Sequence, residues 1–114
     1  MASQKLELLS GTLDLIVLKL LRGGPANGWD LTQSILVVSK GTLDVNYGSL
    51  YPALRRLEDR GWVDSKWSLS DTGRRVRVYS LTRQGRGHLR EEATSWMEFS
   101  RGITLVLRSE PSVV

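Results

Sequence analysis

The segment from Asn46 to Gly61, NYGSLYPALRRLEDRG, restricts the fold more than any other part of the chain. At about 100° per residue, Leu50, Ala53, Leu54 and Leu57 recur at i, i+3, i+4 and i+7 and share one arc of a helix. That arc faces a core. The other arc carries Gly48, Ser49, Tyr51, Pro52, Arg55 and Arg56, with small and aromatic groups near the helix start and two adjacent arginines after them. A phosphate or a base edge can come close to such a face, which is the form of a recognition helix. Pro52 would break a helix interior but is harmless in a first turn, so the helix is predicted to start between Asn46 and Ser49. Gly61 ends it, with Arg60 at the negative end of the helix dipole.

Two helices are expected before it. Thr12 to Arg22, TLDLIVLKLLR, puts Leu13, Ile16, Val17, Leu20 and Leu21 on one face, and Leu15 and Leu18 widen the stripe enough to bury the helix on two sides. Ser10 or Thr12 is its expected cap, Gly23, Gly24 and Pro25 its stop, and Met1 to Leu9 a frayed or partner-dependent start. Asn27 can cap a second helix running to about Val38, with Leu31, Ile35 and Val38 inward. The polar hinge Ser39 to Asp44 then leads into the Asn46 helix, giving helix, short loop, helix.

After Gly61, the runs Trp62 to Trp67 and Arg75 to Leu81 have strand character and are separated by the turn-rich SLSDTGR. A hairpin directly after a recognition helix is the wing of a winged helix. Arg74, Arg75 and Arg77 lie at or near its tip, placed for phosphate or minor-groove contact; the alternative is a charged edge that blocks sheet aggregation. The fold class is therefore mainly α with a small β-hairpin wing, a winged helix-turn-helix followed by a long C-terminal helix. Thr82 can cap that last helix, although Gly85 and Gly87 weaken its start by about 1 kcal/mol each. His88, between Gly87 and Leu89, reads as a solvated surface position.

Further along, Leu89, Ala93, Trp96, Ser100, Ile103 and Leu107 alternate at spacings of 4 and 3, the seam of helices packing along their length. A helix from Gln84 to Leu107 would be about 36 Å long, more than the diameter of a body of roughly eighty residues. Dimerisation through the seam covers the excess; packing against the first helix is the alternative. The expected division is a winged helix-turn-helix over 1–81, a dimerisation helix over 82–108 and a loose tail over 109–114.

Composition narrows the function. The 114 residues include no Cys and one His, which excludes thiolate metal sites and leaves no specific nucleophile and base constellation, so neither an enzyme nor a metal or cofactor is expected. The longest apolar run, Leu15 to Leu18, is too short to span a bilayer, and no secretory signal opens the chain, so a soluble cytoplasmic protein is expected. The net charge of +4 is unevenly placed: ten basic residues stand against four acids between Tyr47 and Arg90, a local +6, and the remainder carries −2. Charge gathered in this way suits a polyanion, the alternative being a solvated surface. Within it Arg55 and Arg56 can contact guanine or phosphate or pair with Glu58 or Asp59, and Tyr51 can reach a phosphate or lie half in the core.

The order GTLDLIVLKLL, GP, NGW, YGSLYPALRRLEDRGWV, GRRVRVYSLT and QG resembles the PadR family of bacterial transcriptional regulators over Leu8 to about Leu107. The resemblance implies a homodimer with a winged helix-turn-helix in each protomer, repression at DNA with dyad symmetry, and a C-terminal dimerisation helix, here the single helix of the short subgroup. By position, Tyr47, Ser49, Tyr51, Pro52, Arg55 and Arg56 fall in the family's DNA-reading helix, and Arg74, Arg75 and Arg77 in its wing. Two departures keep approximate polarity and bulk. Asn27, Gly28 and Trp29 stand where the family commonly has His, Gly and Tyr, and Val78 precedes Tyr79 where two aromatics are common. In some relatives aromatic residues at the dimer interface line a cavity for flat drug-like or phenolic ligands, which makes Trp96, Met97 and Phe99 a candidate pocket for a small aromatic effector. Trp96 as a plain hydrophobic anchor is the alternative. The competing function from another class is a winged-helix interaction module docking an acidic protein.

Overall fold

The computed structural model describes residues 2–111, with side chains over 12–111. Its elements are α1 (Ala2–Leu21), β1 (Ala26–Asn27), α2 (Gly28–Val38), α3 (Tyr47–Asp59), β2 (Val63–Leu69), β3 (Arg75–Leu81) and α4 (Arg83–Leu107). One core joins Leu13, Val17, Leu18 and Leu21 of α1 to Leu31 and Ile35 of α2 and to Leu50, Ala53, Leu54 and Leu57 of α3. Val45, Val63, Tyr79 and Leu89 complete it.

The first helix departs from expectation at both its start and its far side. It begins at Ala2, so Ser10 and Thr12 lie inside it and not at its start, and the expected frayed start is helical from Ala2 on; Met1 lies outside the described residues. Only one side is buried: Leu15, Ile16 and Leu20 are half-exposed and border a groove.

In α2 the cap is as expected, the Asp30 N–H donating to Asn27 Oδ1 at 2.8 Å. Its buried arc is Gly28, Leu31, Thr32 and Ile35. Thr32 enters the core because its hydroxyl donates to the Trp29 carbonyl at 2.6 Å. Val38 does not face inward: it falls roughly 70° from the centre of that arc and is 70% exposed. The helix closes with the Lys40 N–H on the Val37 carbonyl at 3.0 Å and the Gly41 N–H on the Leu36 carbonyl at 2.8 Å. This Schellman closure puts Lys40 at a φ of 55°, a left-handed conformation that a side chain disfavours.

The third helix starts where expected, Asn46 Oδ1 accepting from the Ser49 N–H at 2.8 Å. With Tyr47 as first residue, Pro52 is sixth and sits in the second turn, not the first. It forfeits the bond to the Gly48 carbonyl, and the helix continues through it with Gly48 and Pro52 both exposed, where water can satisfy that carbonyl.

The hairpin is the outer part of a three-stranded antiparallel sheet ordered β1-β3-β2. β1 has no sequence signature; two residues qualify only because Ala26 pairs with Tyr79 and Asn27 with Val78. β2 starts one residue after Trp62 and runs to Leu69, so the tip shrinks to Ser70 to Arg74, closed by the Ser70 N–H on the Arg74 carbonyl at 2.8 Å.

α4 begins on the end of α3. Thr82 Oγ1 accepts from the Gly85 N–H at 3.0 Å and donates to the Gly61 carbonyl at 2.7 Å. A methyl built on Gly85 would stand 2.1 Å from the Trp62 carbonyl oxygen, so the residue that weakens the helix is also what lets α4 approach this junction. His88 is not solvated as expected: its ring stacks on Trp62 with centroids 3.5 Å apart. Beyond Leu89 no residue of α4 is buried among the described residues.

Candidate nucleic-acid interface

The helix-turn-helix presents the outer arc of α3. Tyr47, Tyr51 and Arg55 stand one turn apart on it and form a connected exposed stripe. The two tyrosine rings are 5.9 Å apart, and Arg55 Nη1 donates to Tyr51 Oη at 3.3 Å. That bond, together with the tyrosine's electrostatics, raises the Arg55 pKa above its ordinary value. Pro52 is exposed beside the stripe and Ser49 is half-buried at its base. The stripe is seated from below: a methyl built on Gly28 would lie 2.1 Å from Tyr47 Cε1, so Gly28 leaves the room that the Tyr47 ring occupies over the first turn of α2.

Arg56 is engaged elsewhere. Its Nη2 meets Asp14 Oδ1 at 2.8 Å and its Nε lies 3.5 Å from Oδ2, tying α3 to α1; neither Glu58 nor Asp59, the alternative partners on its own helix, takes that place. Arg60 reaches the same carboxylate at 4.0 Å.

The wing arginines are held to different degrees. Arg74 is exposed at the tip. Arg75 lies over the Trp67 ring at 4.6 Å, and Arg77 lies 5.4 Å from the same ring. Arg77 Nε also donates to Ser65 Oγ at 2.8 Å, and its Nη2 pairs with Glu58 at 3.4 Å. Because Ser65 donates to Glu58 as well, the end of α3 fixes the root of the wing. Asp14 and Trp67 are not among the residues expected at the site, and Glu58 and Gly28 act here through Arg77 and Tyr47, contacts not expected of them. Of these Trp67 leaves a local signal, an aromatic in a strand that faces arginines across the hairpin, although the expected turn over 68–74 would set it opposite Arg75 and not Arg77.

On the opposite side, the seam residues of α4 become more exposed toward the C-terminus: Leu89 is 4% exposed, Trp96 40%, Ile103 43% and Leu107 78%. Ala93 and Ser100 are half-exposed. A groove of about 620 Å³ runs between α1, α2 and α4, lined in part by Leu15, Ile16, Leu20, Val38, Trp96 and Met97. Phe99 packs on Trp96 with ring centroids 6.2 Å apart and stands outside that lining. Among the described residues no cluster of His, Asp or Glu could hold a metal, and no helix is long and apolar enough to cross a membrane.

A helix-turn-helix with an arginine-bearing hairpin behind it defines a winged-helix DNA-binding regulator. Residues 17–91 match the transcriptional regulator PadR-like family, and the chain belongs to that family, whose members regulate transcription and are not enzymes. A PadR family transcriptional regulator from Eggerthella lenta is similar over 95% of this chain and 92% of its own, with a TM-score of 0.77 and 32% identity. An uncharacterized protein of Lysinibacillus sphaericus is 26% identical over 102 residues, 89% of this chain and 93% of that one. The negative transcriptional regulator PadR of Bacillus subtilis is 27% identical over 79 residues, 69% of this chain and 43% of that protein.

Proposed function

We propose that the chain is a repressor that binds DNA as a homodimer, reading a dyad operator with α3 and gripping the flanking backbone with the wing. The exposed Tyr47, Tyr51 and Arg55 stripe carries this reading, because it joins aromatic and guanidinium groups on the arc that a major groove would receive. Ser49 and Pro52 complete the reading face, Arg56 stands at its α1 edge, and Arg74, Arg75 and Arg77 supply phosphate contacts. Repression is supported by the likeness to a negative regulator.

Homodimerisation uses Ala93, Trp96, Ser100, Ile103 and Leu107, while Leu89, the expected start of the seam, packs into the protomer's own core. The wet second half of this seam supports it, since a projecting apolar helix face is stabilised by a copy of itself. Two-fold symmetry then sets half-sites about one helical turn, or a multiple of it, apart. Trp96 and Met97 on the groove wall, with Phe99 against Trp96, supply an apolar site for a small aromatic effector that releases the DNA. In this division 1–81 binds DNA, 82–108 dimerises and 109–114 follows, of which 112–114 lie outside the described residues.

Fluorescence anisotropy of a labelled duplex from the chain's own upstream region, titrated with protein at two salt concentrations, tests the reading. Tight binding that weakens steeply with salt is expected. Absence of binding at low salt contradicts it, and a stable monomer in sedimentation at micromolar protein contradicts the dimer.

A further inference from the structure

Trp67 lies on β2, the edge strand of the wing, and is 55% exposed. The core does not require it there. The strand register puts Arg77 directly across from Trp67, with Arg75 two pairs further toward the tip, opposite Leu69. Cross-strand partners share a face, and so do positions i and i+2, so Trp67, Arg75 and Arg77 lie on the face that carries Ser65. That face turns toward α3, because Ser65 and Arg77 both reach Glu58. Two guanidiniums thus lie against one indole, at 4.6 and 5.4 Å from its centre, on the side of the wing that looks along the reading helix.

We propose that Trp67 is a positioning residue for DNA binding: its ring holds Arg75 in the arrangement that meets the phosphate backbone, beside Arg77, which Ser65 and Glu58 already fix. The inference rests on the DNA-binding reading above. An unrestrained arginine loses much side-chain freedom when it meets a phosphate, and a group that orders it beforehand lowers that loss. Trp is the best ring for this, and each such contact at an exposed site is worth roughly a factor of two to five in an equilibrium constant. A plain solubilising edge would carry the arginines without the indole; a plain apolar contact would carry the indole without two cations packed on it.

The test is a double-mutant cycle read by anisotropy on the same upstream duplex, with thermal melts of every variant. Trp67→Leu is expected to weaken binding about five-fold at a melting temperature within about 2 °C of the parent, while Trp67→Phe, which keeps a ring, weakens it less than about two-fold. Arg75→Ala is expected to cost about five-fold in the parent and less than about two-fold in the Trp67→Leu background. The proposal is overturned if Trp67→Leu binds as tightly as the parent, if the two losses multiply in full, or if the weakening is matched by unfolding at the assay temperature. A parent chain that binds no DNA overturns the DNA-binding reading itself, and is told apart by failing before any variant is compared.

Discussion

Arg56 of α3 and Asp14 of α1 meet at 2.8 Å, a contact between residues 42 positions apart that fixes the reading helix on the first helix. The pair is partly shielded, with the Asp14 side chain 18% and the Arg56 side chain 43% exposed. Solvent screening at that exposure limits its coupling to about 0.5–1 kcal/mol. A cycle of Arg56→Ala and Asp14→Ala in urea unfolding should return that value. Arg55 bonds to Tyr51 alone among the described residues, so Arg55→Ala should leave stability within about 0.5 kcal/mol of the parent. Because Arg56 is occupied and Arg55 is not bound to an acid, DNA binding should fall further in Arg55→Ala than in Arg56→Ala.

The glycines of the two close approaches should respond oppositely to a third. Gly28→Ala collides with the Tyr47 ring and Gly85→Ala with the Trp62 carbonyl, whereas a methyl on Gly87 meets nothing within 4 Å. The first two should destabilise by about 1–3 kcal/mol through overpacking, and Gly87→Ala should stabilise by about 0.5–1 kcal/mol through helix propensity. Thermal melts of the three variants give the signs directly.

Lys40 occupies the left-handed position that closes α2, at a φ of 55°. Lys40→Gly removes the clash between Cβ and backbone at that angle and should stabilise by about 0.5–1 kcal/mol, less the added entropy of the unfolded chain. A lower urea midpoint for the variant would show that the lysine side chain makes a compensating contribution.

Tyr79 gives the fold an alkaline limit. It is 2% exposed, and burial, with a smaller contribution from Tyr47, pushes its phenol from near 10 up to about 12. The folded state therefore keeps the proton longer than the unfolded state does. The associated stability, on the order of 2 kcal/mol, is fully present below about pH 10 and is lost as pH rises toward 12. Urea midpoints at pH 9 and 11.5 should fall less in Tyr79→Phe than in the parent. Equal falls would mean that the phenol does not contribute.

What could be read in the sequence was local. Asn27, Asn46 and Thr82 each cap a helix with their own side chains, and the inner arc of α3 follows from spacing alone. β1 could not be read, because its two residues become a strand only against Tyr79 and Val78. The same holds for the site. The outward tyrosines and Arg55 lie on a predictable arc, but the partners of Arg56 and His88 belong to other elements, and an arc does not say which neighbour a side chain meets. Val38 failed for a related reason: periodicity marks an arc and not its edge, where a residue can face either core or groove.

The salt dependence of operator affinity, compared between the parent, Arg55→Ala and Glu98→Ala, tests the central claim most directly. Each phosphate neutralised contributes a slope of about −0.9 in log K against log salt. The parent should show a steep slope, Arg55→Ala a weaker operator affinity and a smaller preference for the operator over an unrelated duplex, and Glu98→Ala, on the exposed side of α4, no change in either. A flat slope for the parent, or equal losses for the two variants, would contradict the account of α3 as the DNA-reading element.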